Sequence, residues 1–327
     1  MPQVTGQITT LENAPGHPRS LAAIITNIAP SDTPFYSRSG VSSPGPIQTL
    51  HEWTKDTLQD PQVNARKEGA ITDNFAGSQV TGASNRCQIL QKAVEVTGSA
   101  QAIKQVGLSS QYAYQLALRM KEIKKDAEYA LLDNQVESTA GNAATARRMR
   151  GLCAWLMSNF KGGAGAAAAV AGPAGTGSPA VAGTLQALTH DMIADSMQAA
   201  YEKGGNPTVL MAAPSIRRKV TNILKTVNVQ NEDVTDRRST DTIRIYESDF
   251  GVVTIVSNRV QAKVPYACNA LFLLDMQYWK KGFLRNFFEE KLAITGDSMR
   301  GHIIGEFTLE ARAEESSAMI ADIDPAL

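Results

Sequence analysis

The sequence predicts an α+β protein in which extended segments leave a compact body of helices and strands. Three patterns predict this class. Prolines crowd the first 61 residues, a long helical pattern covers residues 109–134, and an alternating strand pattern covers residues 302–312. Proline removes a backbone donor and favours extended conformations, so the first segment is expected to lie on another surface.

Composition and charge exclude several classes of protein. The chain has 327 residues, and its 32 basic and 32 acidic side chains cancel, which argues against a dedicated nucleic-acid-binding domain. Its three cysteines are far apart, so neither a disulfide framework nor a zinc site is expected. No signal-peptide pattern begins the chain, and no apolar run reaches the roughly 18 residues of a membrane span. We therefore expect a soluble protein made in a reducing cytoplasm.

The N-terminal third is predicted to contain an arm, residues 1–46, and an extended, β-hairpin-like loop, residues 47–105. Residues 47–60 have the composition of a β-strand around one tryptophan, and residues 84–103 form a longer strand pattern. The polar, glycine-bearing stretch between them is too long for a simple turn. This length favours a loop that projects from the body.

The strongest periodic signal lies at residues 109–134, where apolar residues recur at intervals of three and four. This spacing places them in one stripe on a helix about 39 Å long. Ser109 or Ser110 is the expected N-cap. The stripe consists of Tyr112, Leu116, Met120, Ile123, Ala127 and Leu131.

The second half contains a low-complexity tract followed by mixed helix and strand patterns. In residues 161–184, eighteen of 24 positions are Gly, Ala or Pro. Such residues bury little surface, so this Ala/Gly-rich tract is predicted to be a surface loop or insertion whose deletion leaves the body folded. Within the final strand pattern, Ile303 and Phe307 share one face, and Glu306 and Glu310 share the other.

No motif in the chain predicts catalysis. The four histidines lie outside H-E-x-x-H patterns, and the chain has neither a G-x-S-x-G elbow nor a P-loop. Cys87 lies on a predicted strand without a nearby base, which favours a packing role. No catalytic, cofactor-binding or metal-ligating residue is therefore predicted, no cofactor is implied, and the protein is not expected to be an enzyme.

The remaining candidate sites are basic clusters and residues of the extended loop. The clusters are Arg147, Arg148 and Arg150; Arg217, Arg218 and Lys219; and Arg237 with Arg238. Each is either a solvated face with local ion pairs or a contact with phosphates or acidic patches of a neighbouring subunit. No aromatic platform accompanies them, so base recognition is not supported. The loop candidates for subunit contacts are Trp53, Lys55, Arg66, Lys67 and Glu68.

Trp53 has two interpretations. It is either a local core residue or an anchor in a pocket of a neighbouring subunit, where aromatic side chains contribute much of the binding free energy.

Four segments, in their order and spacing, resemble the major capsid proteins of tailed bacteriophages with the Hong Kong 97-type fold. They are residues 146–156 (ARRMRGLCAWL), 188–220, 243–259 (IRIYESDFGVVTIVSNR) and 284–312. The resemblance covers nearly the whole chain except the Ala/Gly-rich tract. It implies a peripheral domain of residues 106–160 and 285–327 with the long helix as its spine, and an axial domain of residues 185–284.

The resemblance also implies a function and partners. Copies of the chain would form pentamers and hexamers of an icosahedral head around double-stranded DNA, which they contact non-specifically. A portal protein is an expected partner, with scaffolding or decoration proteins as further ones, and no membrane partner is implied. The expected location is the virion, after assembly in the host cytoplasm. Two alternatives stay open: an encapsulin-type compartment with protein cargo, and, from another class, a soluble enzyme with an unrecognised site.

Overall fold

The structure is a computed structural model that describes most of the chain beyond the first 31 residues. The described residues are 32–69, 71, 77, 80–103, 110–136, 141, 144–172, 177–227, 243–294 and 296–326. Most of the predicted N-terminal arm, Ser109 and the Arg237–Arg238 pair lie outside them.

Within the described residues, helices and strands alternate as an α+β fold requires. The helices are α1 (Pro34–Arg38), α2 (Gly98–Ala102), α3 (Gln111–Leu132), α4 (Leu152–Trp155), α5 (His190–Glu202) and α6 (Pro214–Val227). The strands are β1 (Gly40–Val41), β2 (Leu50–Lys55), β3 (Thr81–Arg86), β4 (Gln88–Thr97), β5 (Phe160–Lys161), β6 (Val209–Ala212), β7 (Ile245–Ser248), β8 (Gly251–Ser257), β9 (Leu271–Leu274), β10 (Trp279–Lys291), β11 (Ser298–Ala311) and β12 (Ala318–Ile320).

The described strands form three sheets. One has the order β1-β10-β11-β4, a second has the order β5-β12-β9-β6-β8-β7, and β2 pairs with β3 alone. The two faces of the six-stranded sheet enter different cores. Leu210 and Leu273 pack with α5 and α6, whereas Met211 and Phe272 pack in the cluster that contains Trp279. The division into peripheral and axial domains stays a prediction, and β5 and β12, both outside residues 185–284, belong to the six-stranded sheet.

The predicted long helix is confirmed as α3. The hydroxyl of Ser110 accepts a hydrogen bond from the backbone N–H of Ala113, so Ser110 is the N-cap. Ile123 and Leu131 are buried as the stripe predicts. Met120 is the exception, because its side chain is 40% exposed.

A buried carboxylate on α3 binds the first turn of α1. Glu128 accepts hydrogen bonds from the backbone N–H of Phe35 at 2.9 Å and of Tyr36 at 2.6 Å. The side-chain amide of Asn258, directly after β8, donates a third at 2.6 Å. Burial raises the pKa of Glu128, and the three donors oppose that rise. One side chain therefore holds α1, α3 and the end of β8 together.

Strand β11 is longer than the sequence pattern predicts, and both of its faces are buried over its C-terminal half. Glu306, Thr308 and Glu310 are each less than 4% exposed, although they lie opposite the apolar face. The guanidinium groups of Arg147 and Arg285 compensate the charge of Glu306 at 2.6 and 3.1 Å. The alternation of apolar and charged residues therefore does not mark a solvent face here, because the charges are paired inside the subunit.

Most described residues of the Ala/Gly-rich tract are exposed, as expected of a surface loop, but Gly163, Ala169 and Ala180 are buried against the body. That its deletion leaves the body folded stays a prediction. Its two arms pair at Ala167–Val181 and Val170–Ser178, and Ala169 is buried beside Ala154. Larger side chains would not fit between the two arms of the tract. A Cβ on Gly163 would lie 1.8 Å from the carbonyl oxygen of Thr184, and one on Gly183 would lie 2.6 Å from the nearest backbone nitrogen.

Two side chains of the body hold this tract. The carboxylate of Asp322 accepts hydrogen bonds from the backbone N–H of Gly163 at 3.2 Å and of Gly183 at 3.0 Å, both at Oδ2. Asn134, just after α3, donates to the carbonyl of Ala180 and accepts from its N–H. Asp322 itself has a φ of 59°, a left-handed conformation that Asp and Asn tolerate better than other residues.

We expect Asp322→Ala to lower the free energy of unfolding by about 2–3 kcal/mol, because two buried N–H groups lose a charged acceptor. Chemical denaturation followed by circular dichroism measures the loss. Asp322→Asn is the matched control, since one amide oxygen can still accept both bonds in the same backbone conformation. Equal stability of Asp322→Ala and the parent chain would contradict the packing described for the tract.

We expect Glu128→Ala to lower the free energy of unfolding by about 3 kcal/mol or more, because three hydrogen-bond donors lose their acceptor. Glu128→Gln should lower the free energy of unfolding by less, since its amide keeps one acceptor oxygen. Glu122→Ala is the control on the same helix, where an exposed pair with Arg119 is removed and a change below about 0.5 kcal/mol is expected. The prediction fails if the Glu128 and Glu122 variants unfold at the same denaturant concentration.

Candidate subunit interface

The predicted hairpin is present and is shorter than the sequence pattern. Strands β2 and β3 pair in register from Leu50 with Arg86 to Lys55 with Thr81. The long strand predicted at 84–103 is interrupted at Cys87, and α2 follows its end. Beyond Lys55, residues 56–69 have no regular structure and are all exposed.

Trp53 joins this hairpin to the body of the same subunit. Its indole N–H donates to the carbonyl of Ala311 at 2.9 Å, and its ring centroid lies 5.6 Å from that of Trp155. It packs, partly buried, on the main core cluster. These contacts favour the local-core interpretation, and a contact with a neighbouring subunit stays a prediction.

Polar contacts add to this attachment. His51 lies 3.2 Å from Glu310, and Lys55 donates to Glu315 at 2.5 Å. Burial raises the pKa of Glu310, but hydrogen bonds from Ser42, Arg312 and His51 outweigh it and hold the pKa below its ordinary value.

Glu315 has the same balance of effects. Burial raises its pKa, and the hydrogen bond from Lys55, with the charges of Lys55 and Lys203, brings the pKa below its ordinary value. The hairpin favours the ionised form of Glu310 through His51 and of Glu315 through Lys55, and Ser42 and Arg312 add to the effect at Glu310 from outside the hairpin.

The segment beyond the hairpin carries apolar side chains that nothing covers within the described residues. Leu58 is 99% exposed and Val63 is 97% exposed. The predicted contact residues Arg66, Lys67 and Glu68 lie in the same exposed stretch. Leu58 and Val63 are five residues apart on this segment, and both are available for contact with a partner.

The first basic cluster is held largely inside the subunit. Arg150 is buried, its Nε donates to the carbonyl of Ala154 at 3.0 Å, and its guanidinium lies 4.5 Å from the centroid of the Trp155 ring. Arg147 is paired with Glu306, whereas Arg148 is exposed. A role of these residues in subunit contacts stays a prediction, for which Arg148 is the most accessible of the three.

The second basic cluster lies on α6 opposite its buried face. Ile216 and Val220 pack on the six-stranded sheet, and Arg218 is exposed. Lys219 donates to the carbonyl of Ala326 at 3.1 Å. A contact of this cluster with phosphates or a neighbouring subunit stays a prediction.

The described residues contain no arrangement that predicts catalysis. None of their His, Cys, Asp and Glu side chains form a group that could hold a metal ion. Burial, followed by the charge of Glu306, raises the pKa of the Cys87 thiol to about 12, so this thiol is not activated. Among the helices of the described part, none is long and apolar enough to cross a membrane.

Comparisons of sequence point to one protein family. A model of the family described as "SU10 major capsid protein" matches residues 3–324. A curated relative, the major capsid protein of Escherichia phage Phieco32, is 35% identical over 124 residues, which cover 38% of this chain and 35% of the relative. The matched part thus spans about a third of that relative's length.

Solved phage capsids share the fold. The capsid asymmetric unit of cyanophage A-1(L) matches with a TM-score of 0.66 at 15% identity, covering 97% of this chain and 99% of that one. A chain from Gordonia phage Cozz matches with a TM-score of 0.62 at 10% identity, covering 98% and 96%. The SrpI encapsulin of Synechococcus elongatus matches with a TM-score of 0.56 at 10% identity, covering 95% and 94%. These likenesses confirm the fold class expected from the sequence.

We expect acid to release the β2–β3 hairpin from the body. The pKa values of Glu310 and Glu315 are lowered in the folded subunit. Their contribution is therefore present above the ordinary pKa and is lost as the pH falls through the lowered values. The fluorescence anisotropy of a dye on Glu68→Cys, in a Cys268→Ser background, should fall as the pH drops from about 7 to about 3.

Lys55→Met should move this release to higher pH, because Glu315 loses the partner that lowers its pKa. Lys67→Met, in the exposed segment, is the matched control and should leave the midpoint unchanged. Constant anisotropy across the range in a subunit that stays folded by circular dichroism would contradict the prediction.

Proposed function

The chain belongs to the SU10 major capsid protein family, which makes it a subunit of a phage capsid, and we propose that many copies of it form the icosahedral head around the double-stranded DNA of a tailed phage. The architecture supports this proposal. The fold matches solved capsid subunits over nearly its whole length.

The observation that carries the proposal is the exposed segment after β2. Residues 56–69 protrude from a body that is otherwise well packed, and they expose Leu58 and Val63 almost completely. Burying such side chains lowers the free energy, at about 25 cal/mol for each Å² of apolar surface. A contact with another copy supplies that burial at every subunit of a shell, so even a modest free energy per contact accumulates.

The charge of the chain fits a shell that holds DNA without reading its sequence. The net charge is zero, so the subunit has no strong general affinity for nucleic acid. Local basic side chains such as Arg218 on α6 can contact phosphates, and phosphate contacts carry no sequence information. A portal protein, with scaffolding or decoration proteins, completes the proposed set of partners. The proposed place of assembly is the host cytoplasm.

One other function shares this fold. The likeness to the SrpI encapsulin is of fold alone, because the two chains are 10% identical. A compartment of that kind holds protein cargo rather than a genome. The contents of purified particles therefore separate the two functions, and a small soluble oligomer would instead support an enzyme.

We expect the chain, when expressed alone or with phage structural proteins, to form megadalton particles visible by electron microscopy. Val63→Asp should lower the yield of sedimenting particles, because a charge enters a buried contact. Val63→Ile is the matched control that keeps an apolar side chain. Nucleic acid in particles from infected cells supports a phage head, protein cargo supports a compartment, and a small oligomer under every condition would overturn the proposal.

A further inference from the structure

Asn258, directly after β8, holds a polarised side-chain amide inside the subunit. The residue is fully buried, and its Oδ1 accepts hydrogen bonds from the backbone N–H groups of Val260 at 3.0 Å and of Gln261 at 3.2 Å. Two backbone donors on one carbonyl oxygen stabilise the negative charge that forms there when a nucleophile attacks the carbon. The amide carbon of Asn258 is therefore prepared for such an attack.

Glu128 contacts the nitrogen of the same amide. Its Oε1 accepts a hydrogen bond from Nδ2 of Asn258 at 2.6 Å. Burial raises the pKa of Glu128, which brings the carboxyl group closer to the range in which it can both accept and give a proton. The oxygen of the amide thus has donors that stabilise charge, and its nitrogen has a carrier of protons.

Lys281, on β10, contributes an amine to this cluster. Its side chain is buried, and burial lowers its pKa against the opposing effect of the Glu128 charge. The unprotonated amine that burial favours is a nucleophile. Within the described part of the chain, no carboxylate lies within ion-pair distance of Nζ, which donates to the carbonyl of Tyr36. The N–H of Tyr36 binds Glu128, so one residue joins the amine to the carboxylate.

We propose that Lys281 and Asn258 form an isopeptide bond within one subunit. Nζ attacks Cγ of Asn258, and the N–H groups of Val260 and Gln261 hold the charge on Oδ1. Glu128 accepts one proton from Nζ and gives it to Nδ2. The bond between Cγ and Nδ2 breaks, and one molecule of ammonia leaves. Each chain reacts once at its own residues, so the step is a self-modification and not the turnover of a substrate.

A cavity beside the cluster gives the amine room to move. Its volume is about 790 Å³, and its lining includes Tyr36, Ser257 and Lys281, so it extends from the lysine to the residue directly before Asn258. Nζ has to leave the carbonyl of Tyr36 and rotate about the bonds of its flexible four-carbon stem to meet Cγ. The exposed side chain of Arg38 also lines the cavity, which therefore gives ammonia a way out.

The bond would join the two large sheets of the subunit. Asn258 follows β8 of the six-stranded sheet, and Lys281 belongs to β10 of the four-stranded sheet. A covalent link between them restricts the unfolded chain in the same way as a disulfide does. The subunit would then carry a link of this kind without using any of its cysteines.

Mass spectrometry of the purified, folded chain tests the bond without requiring assembly. The intact chain should be lighter than the mass calculated from its sequence by about 17 Da, because one ammonia is lost. After digestion with trypsin, residues 245–259 should be joined to residues 281–285, since the chain is no longer cleaved after Lys281. Unlinked peptides in the digest of the parent chain would overturn the proposal.

Variants assign the role of each residue. Lys281→Arg removes the nucleophile and Asn258→Ser removes the amide, so neither should lose ammonia. Lys280→Arg is the matched control on the same strand and should form the bond as the parent chain does. Glu128→Gln keeps one acceptor oxygen without carrying a proton, and it should slow the appearance of the linked peptide about tenfold or more.

Circular dichroism reports whether each variant folds, and the digest of the parent chain decides the proposal if one does not. A linked peptide that forms at the parent rate in folded Glu128→Gln would overturn the mechanism. A bond from Lys281 to a different residue would overturn the assignment of Asn258. The result is independent of the proposed function, because the bond lies within one subunit and forms whether or not the chain assembles.

Discussion

The packing of the subunit depends on one carboxylate that has no access to water. Glu128 needs hydrogen-bond donors because an ionised side chain without them is costly to bury. The donors come from two distant parts of the chain, the first turn of α1 and the loop after β8. Lys281, on β10, lies close enough to act on its charge and also binds the carbonyl of Tyr36. The need of this single carboxylate for polar partners thus fixes α1, the loop after β8 and β10 relative to α3.

A second constraint is steric. The Ala/Gly-rich tract turns back on itself so closely that side chains larger than those present would meet the backbone of its other arm. The carboxylate of Asp322 then binds N–H groups from both arms. Low sequence complexity here reflects close packing, since small residues are what allow the two arms and α4 to approach one another. Composition alone does not distinguish this case from an unpacked loop.

The sequence predicted most elements whose signal is local. The stripe of α3 and its N-cap, expected at Ser109 or Ser110, follow from spacing and capping rules, and the structure confirms the helix with Ser110 as its cap. Strand β10 was not predicted, because its apolar residues are interrupted by charges that only tertiary partners such as Glu306 compensate. The burial of Glu306 and Glu310 was missed for the same reason. A cleft between α3, the start of β4 and the turn after β8 has no sequence signal at all, since its lining comes from four separate segments of the chain.

Strand β11 has a mechanical consequence. It is hydrogen-bonded along its length to β10 on one side and β4 on the other, antiparallel to both. A pull along β11 loads these lateral hydrogen bonds in shear, so that many must break together rather than one after another. The strand leads through a short turn into β12, which belongs to the six-stranded sheet. Tension that reaches one sheet is therefore transmitted to the other through a covalent connection whose strand is braced on both edges.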